Sequence, residues 1–135
     1  MTTLEALPGD LPVVSRTPVL PGGFLAGGLS AGLKASGRPD LALVVVGEAT
    51  AGGPRLGPPA AVAALFTRNR FAAAPVRLSQ RHLAATEPGG RGRHGWASAV
   101  ISTSGSANAA TGSAGHADQA AQADAVAAAL GSPVE

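Results

Sequence analysis

The run of six apolar residues at 41–46 constrains the fold more than any other feature of the chain. It reads Leu-Ala-Leu-Val-Val-Val and ends at Gly47. A continuous apolar run of this length, without alternating polar residues, is typical of a strand buried on both faces. The sequence therefore predicts a strand here that is covered on its two sides.

The apolar side chains available to cover such a strand are small. Apolar residues make up 45% of 135 residues, which fits one folded domain rather than a disordered chain. Most are Ala, Val or Leu, and the aromatic residues are Phe24, Phe66, Phe71 and Trp96. Because burial stabilises by about 25 cal/mol per Å², small side chains contribute little each. We expect a thin core, marginal stability and a need for more polypeptide or a partner.

Two segments are predicted along the chain. Residues 1–22 contain four prolines and little periodicity, and predict an irregular lead-in, whereas residues 23–135 predict the folded part. Glycines at 24–34 are too dense for a helix and favour one or two short strands. Residues 36–40 predict a turn.

The remaining elements alternate between strands and loops before a helix. We expect a Gly/Pro loop at 49–60, strands at 61–67, 75–78 and 96–102, a short helix through Leu83 and a flexible loop at 86–95. This order predicts an α/β or α+β fold with a mixed sheet and a helix after the fourth strand.

The clearest predicted helix covers residues 117–130. Its alanines favour helix, Asp118 is placed in its first turn, and Gly131 with Pro133 is a stop signal. We expect such a helix to lead into another strand, yet the sequence stops at Glu135. The chain is therefore expected to supply one structural part of a larger protein.

Several kinds of site are excluded or not indicated. The chain has no Cys, which excludes disulfides and Cys-ligated zinc. His82, His94 and His116 do not follow metal-ligand spacing, so no metal site and no bound cofactor are predicted. No apolar run approaches the ~20 residues of a membrane span. The N-terminus lacks the pattern of a secretory signal, and the cytoplasm is the expected location.

Basic residues raise the possibility of an anionic partner. Residues 89–95 resemble an RGG-type nucleic-acid segment, but a single copy without aromatic residues is more often a solvated loop. Between positions 55 and 93 one acid, Glu87, accompanies seven arginines: Arg55, Arg68, Arg70, Arg77, Arg81, Arg91 and Arg93. This excess either marks an anionic partner or forms a surface balanced by Asp118 and Asp124 or by another chain.

The segment before the helix offers a second candidate site. Residues 104–107 do not match the Gly-x-Ser-x-Gly nucleophile elbow. Backbone amides between Gly105 and Gly112 could hold an anion at the start of the helix. The alternative, which we favour, is a turn in which Asn108 and Thr111 cap backbone groups.

Three segments together resemble a known family. They are Phe-x-Ala-Gly-Gly-Leu-x-Ala-Gly-Leu-Lys at 24–34 with Ser-Gly-Arg-Pro-Asp-Leu-Ala-Leu-Val at 36–44, Ala-Leu-Phe-Thr-Arg-Asn-Arg at 64–70 with Ala-Ala-Pro-Val at 73–76, and Ser-Gly-Ser-Ala-Asn-Ala-Ala-Thr-Gly at 104–112. In this order and spacing they resemble the bifunctional ornithine acetyltransferase / glutamate N-acetyltransferase family of arginine biosynthesis, at the N-terminal part of its α chain.

The resemblance implies a reaction but places no catalytic residue in this chain. Family members move an acetyl group from N-acetylornithine to glutamate, and some use acetyl-CoA. The precursor cleaves itself before a Thr, which becomes the nucleophile of the β chain, and the chains assemble as an α/β heterotetramer. The cleavage segment has a Met-Ala-Thr form, but Met1 is the only Met here. The family's oxyanion segment, Ser-Thr-Gly-x-Ile-Gly, is expected after the helix. We therefore assign no catalytic, cofactor-binding or metal-binding residue to this chain, and its substrate-binding residues stay unassigned.

The third segment departs from the family pattern at three positions. Thr103, Ser106 and Ala110 replace Asn, Gly and Cys. Ser106 fits only if its φ is not positive, and Ala110 is expected to be a small packing change in a tight interior. Three hypotheses follow: the front of an acetyltransferase α chain that is a divergent paralogue, an inactive truncated paralogue, or a small α/β module whose Arg-rich face binds an anionic partner.

Overall fold

A computed structural model describes residues 20–89 and 94–131. Its elements, in chain order, are β1 (Phe24–Leu29), β2 (Leu41–Thr50), β3 (Gly53–Leu56), β4 (Ala60–Ala63), α1 (Ala74–Thr86), β5 (His94–Ala97), β6 (Ala99–Thr103) and α2 (Gly112–Leu130). Positions 1–19 of the lead-in predicted at 1–22 lie outside the described residues.

Strand β2 is the centre of the larger sheet. β1 pairs with one side of it, with Phe24 opposite Val46, and β6 pairs with the other side, with Leu43 opposite Ile101. β3 pairs with the last residues of β2. β4 and β5 form a separate two-stranded sheet. Every pair in the described ranges is antiparallel, so the α+β class is confirmed but the sheet is not mixed.

The loop predicted at 49–60 is wrong, because this stretch contains a hairpin. β2 continues to Thr50, and β3 returns along it after a tight turn. The hydroxyl of Thr50 donates to the carbonyl of Gly53 at 2.7 Å and accepts the amide of Gly52 at 3.3 Å. Gly53 has φ +112°, a backbone conformation that favours glycine. The turn residues were visible in the sequence, but the short strand after them was not.

The strand predicted at 75–78 is also wrong, because these residues begin helix α1. Pro75 lies in the first turn, where its fixed φ suits a helix and its missing N–H costs no hydrogen bond. The helix then runs through the predicted end at Leu83 to Thr86. The strand predicted at 61–67 is shorter than expected, since β4 ends at Ala63.

The strand predicted at 96–102 appears as two. β5 and β6 are separated at Ser98, whose carbonyl accepts the amide of Val46 at 2.9 Å. The bend therefore remains attached to β2. The loop predicted at 86–95 is occupied at its two ends by α1 and β5, and residues 90–93 lie outside the described part of the chain.

Helix α2 starts earlier than predicted. It begins at Gly112 rather than at residue 117, so Asp118 lies beyond the first turn and no acid occupies that turn. Its C-terminal end is as predicted: Gly131 has φ 62°, and its amide bonds the carbonyls of Ala127 and Ala128. Pro133 lies outside the described residues.

The described core is thin, as the composition predicts. Its buried apolar residues are Val45, Ala74 and Leu83. Only one face of β2 is buried there: Val45 and Gly47 are buried, whereas Val44 and Val46 are half-buried and Ala42 is exposed. The prediction of a strand covered on both faces therefore fails for the described residues. None of their helices has the length and apolar character needed to span a bilayer.

Asp40 joins the glycine-rich loop, which covers residues 30–39, to the start of β2. This buried carboxylate accepts the amides of Ala31 at 2.6 Å and Lys34 at 2.8 Å. Its own amide bonds the carbonyl of Leu29, and its carbonyl accepts the amide of Ser104. The amide hydrogen bonds from Ala31 and then Lys34 are the main causes that lower the pKa of Asp40 below its ordinary 3.8, against the effect of burial.

We expect the loop to lose stability in acid because of Asp40. Its folded-state pKa is lowered, so its stabilising contribution is present above the unfolded value of about 3.9 and disappears as pH falls through the lower folded value. Asp40→Asn should therefore lower the free energy of unfolding at pH 7 and flatten its dependence on pH below about 4. Urea unfolding at pH 7, 4 and 3 measures both effects. Asp118→Asn, at an exposed position of α2, is the control, and an equal response of the two variants would contradict the role of Asp40.

We also expect the isolated chain to be marginally stable. Three buried apolar residues give it little of the burial that supports the ~5–15 kcal/mol of ordinary domains. Thermal denaturation followed by circular dichroism should give a broad transition at low temperature. A sharp transition of a soluble monomer would contradict this expectation.

Candidate functional site

The N-terminal ends of α1 and α2 border a shallow cleft of about 160 Å³. Two segments that carry the family resemblance meet here, and the amide of Ala74 bonds the carbonyl of Asn108 at 3.2 Å to join them. The cleft is lined by Arg70, Phe71, Ala72, Ala74, Arg77, Asn108, Ala110, Thr111, Gly112 and His116. No acidic side chain is among them.

The wall on the α1 side is held by hydrogen bonds between side chains and the backbone. Asn69 Oδ1 accepts the amide of Phe71 at 2.9 Å, which is an Asx-turn. The guanidinium of Arg77 donates to the carbonyl of Ala72 at 3.1 Å and to that of Arg70 at 2.8 Å. Arg77 is therefore engaged in fixing residues 70–72, which places the start of α1 against the cleft.

The wall on the α2 side is a turn held by Asn108. Its Nδ2 donates to the carbonyl of Gly115 at 2.8 Å, and its Oδ1 accepts the hydroxyl of Thr111 at 2.5 Å. Gly115 is buried in the angle between these two side chains. A Cβ at position 115 would overlap with Thr111 and Asn108, so only glycine fits there without movement.

This arrangement confirms the turn interpretation for Asn108 but not for Thr111. Asn108 bonds a backbone carbonyl, as predicted, but Thr111 bonds Asn108 rather than the backbone. No side chain caps the first amides of α2. Residues 104–107 do not lead directly into a helix, and Gly105 packs against Leu33 and Lys34 instead. A nucleophile elbow is therefore absent from this described segment.

The departures from the family pattern fall at conformationally different positions. The φ of Ser106 is not positive, so serine can replace glycine at this position. Ala110 has φ 59° and is exposed, so the expectation of a tight interior is wrong at this position. Asn108 has φ 46°, which Asn tolerates better than most residues. The turn thus places two non-glycine residues in the left-handed region.

The cleft carries basic side chains, and its Thr111 hydroxyl is not paired with a base. Arg70, Arg77 and His116 supply its basic groups. The hydroxyl of Thr111 donates to Asn108 and not to His116, so the two do not form a nucleophile and base. Within residues 20–89 and 94–131, no group of three or more His, Asp or Glu side chains could hold a metal ion.

The arginines do not gather into one face. Arg55 pairs with Glu48 on the larger sheet, with 3.0 Å from its Nε to Oε1, while Arg68, Arg70, Arg77 and Arg81 lie in or before α1. Arg91, Arg93 and the rest of the RGG-like loop up to residue 93 lie outside the described residues. The Arg-rich face thus does not form as a single surface among the described arginines.

Two histidines have acidic neighbours at the other end of α1. Burial and then the charge of Arg81 lower the pKa of His82, and Asp124 on α2 opposes this shift. This interaction involves His82, so the predicted balance of the arginines by Asp118 and Asp124 stays a prediction. Nδ1 of His94 lies 2.9 Å from the carboxylate of Glu87, whose side chain is 1% exposed. These contacts join α1 to α2 and to β5.

Comparison with known proteins identifies the family of this chain. The ArgJ family model matches residues 25–135. The chain belongs to the ArgJ family. The resemblance found in the three motif segments is thereby confirmed.

Curated ArgJ relatives match most of this chain but are much longer. The arginine biosynthesis bifunctional protein ArgJ of Mycobacterium tuberculosis is 50% identical over 110 residues, and that of Mycobacterium leprae is 47% identical over 110 residues. Each match covers 82% of this chain and 23% of the relative. The chain therefore spans about a quarter of the length of the curated relatives it matches.

Solved ArgJ structures share the fold. Ornithine acetyltransferase of Mycobacterium tuberculosis, solved in complex with ornithine, matches with a TM-score of 0.64 and 48% identity over 82% of this chain and 48% of that chain. The ArgJ protein of Bacillus halodurans matches with a TM-score of 0.65 and 31% identity over 83% of this chain and 49% of that chain.

Sequence reasoning missed the residues that shape the cleft on both sides. The sequence indicated turn roles for Asn108 and Thr111 but no role for Gly115, and Arg77 was counted as a surface charge rather than as a donor to two carbonyls. The signal for Gly115 was its position four residues after Thr111, one helical turn along, where a side chain would crowd the residues that begin α2. No sequence signal indicated the bonds of Arg77.

Gly115→Ala should destabilise the chain by about 1–3 kcal/mol, because the added methyl group overlaps with Thr111 and Asn108 in a packed turn. Urea unfolding monitored by circular dichroism measures the change. Gly27→Ala is the matched control, since a Cβ there meets nothing within 4 Å, and its effect should stay within about 0.5 kcal/mol. Equal stability of the two variants would show that the turn is not tightly packed.

Proposed function

We propose that this chain acts as the N-terminal portion of an acyltransferase that moves an acetyl group from N-acetylornithine to glutamate. The observation that carries the proposal is the ArgJ match over residues 25–135, together with the shared fold of a chain solved with ornithine. In the proposal the nucleophile is the N-terminal Thr of a β chain, formed by autocatalytic cleavage of the precursor.

The residues of this chain then serve as scaffold. The turn of Asn108, Thr111 and Gly115 fixes the start of α2, and Gly131 ends that helix. In the family pattern the oxyanion segment follows this helix, so the turn and helix together position the segment that stabilises negative charge on the reacting carbonyl.

The remaining parts of the proposal concern assembly and location. The partners are the remainder of the α chain and a β chain, in an α/β heterotetramer in the cytoplasm. The chain itself needs no cofactor, and acetyl-CoA is a possible co-substrate of the whole protein. The changes at Thr103, Ser106 and Ala110 fit a divergent paralogue.

A chimera tests the proposed function. Residues 25–131 replace the matched segment of Mycobacterium tuberculosis ArgJ, and acetyl transfer from N-acetylornithine to glutamate is measured. We expect a rate within about tenfold of the parent enzyme, because identity is 50% across the exchanged segment. The 135-residue chain alone should show no transfer above background.

Two results would contradict the proposal. Turnover by the 135-residue chain alone would show that it carries its own nucleophile. A chimera that folds, cleaves itself and still lacks activity would favour the alternative of an inactive paralogue.

A further inference from the structure

One face of the larger sheet is left uncovered. In paired antiparallel strands, directly opposite residues place their side chains on the same face. Alternate residues of β1, β2 and β6 therefore share one side of the sheet, which we call the open sheet face. Its apolar members are Phe24, Ala26, Ala42, Val44, Val46 and Val100.

Most of these side chains are exposed, whereas Val44 and Val46 are half-buried. Val100 is 59% exposed and Phe24 is 37% exposed, and Ala26 and Ala42 are also exposed. The opposite face contains Val45, which is only 9% exposed. The two faces of the same strands therefore differ in how well they are covered.

Across β1, β6 and residues 42–46 of β2, the open sheet face carries no charged side chain, and Ser102 is its polar member on β6. Glu48 continues the same face two residues after Val46, where it pairs with Arg55 of β3. An antiparallel sheet that faces water on one side normally alternates apolar and polar residues. Here both faces of β2 carry Val or Leu, which is typical of a strand between two packed layers. Exposed apolar patches of this kind mark interaction sites.

We infer that the open sheet face is the docking surface for the part of an ArgJ polypeptide that this chain does not match. The inference rests on the proposed function. The curated relatives extend over about four times the matched length, and the solved chains over about twice, so ample polypeptide of the same fold is available to form the missing layer. An uncharged, β-branched face suits an internal layer better than a partner held by charges.

A cleft of about 460 Å³ beside the open sheet face could receive a side chain from the docked ArgJ segment. It lies where β2 and β3 meet, and Val46, Leu56 and Pro58 are among its lining residues. An apolar side chain from the docked layer can enter it next to Val46, which gives the contact a fixed register as well as apolar area.

Co-expression tests the inference. The tagged 135-residue chain is produced with the part of Mycobacterium tuberculosis ArgJ outside its 110 matched residues, and the amount retained on the tag is measured. Val100→Glu and Ala42→Glu place a carboxylate at exposed positions of the open sheet face, so they should preserve the circular dichroism spectrum. Retention should fall at least tenfold, since docking would bury an unpaired charge.

Three control variants make the result specific. Val100→Ile keeps an apolar, β-branched side chain at this exposed position and should retain within about threefold of the parent amount. Ala85→Glu adds the same charge at an exposed position of α1 and should have no effect. Leu29→Glu adds it on the opposite face of β1, at 54% exposure, and should also retain the partner.

The outcomes separate this inference from the proposed function. Normal retention by Val100→Glu and Ala42→Glu, or loss with Leu29→Glu instead, would overturn the docking surface while an active chimera leaves the proposed function intact. A dimer of the chain alone that Val100→Glu dissociates would assign the face to a second copy and overturn the inference. No retention by the unmodified chain, with an inactive chimera, would overturn both.

Discussion

The antiparallel pairing of β2 with three other strands is the interaction on which the rest of the structure depends. β1 and β6 bond its two sides, and β3 continues one side beyond Val46. Asp40, immediately before β2, connects this strand to the glycine-rich loop and to Ser104. Because segments from both halves of the chain meet on one strand, β2 sets the relative placement of β1, β3 and β6.

Local signals in the sequence predicted some strands and helices correctly and others wrongly. The apolar run at 41–46 and the Gly131 stop were sufficient to locate β2 and the end of α2. Pro75-Val-Arg-Leu suggested a strand by its Val and Leu, but the proline favours the first turn of a helix, and the alanines around it support that. β3 was missed because its residues, Gly-Pro-Arg-Leu, form a strand only through pairing with β2. Tertiary pairing of this kind is not encoded in local propensity.

The candidate site was predicted in part for a similar reason. Asn108 and Thr111 are turn-forming residues, so their hydrogen-bonding role was accessible from the sequence. Their partner Gly115 and the bonds of Arg77 depend on how two distant segments approach each other. The segments that identify the ArgJ family thus meet in space at the Ala74–Asn108 hydrogen bond. In this chain these two segments form the turns before α1 and α2 and the first residues of both helices.

The composition of α2 has a mechanical consequence. Of its 19 residues only Gly115 is buried and nine are alanine, which offer neighbouring helices few ridges that define one packing angle. Its direction is therefore set by the Asn108 turn at one end and by the approach of Asp124 to His82 of α1 further along. A helix of this length extends about 28 Å, so a tilt of about 10° at the turn would move its far end by about 5 Å. The contact with α1 is thus the second point of support that limits such a tilt.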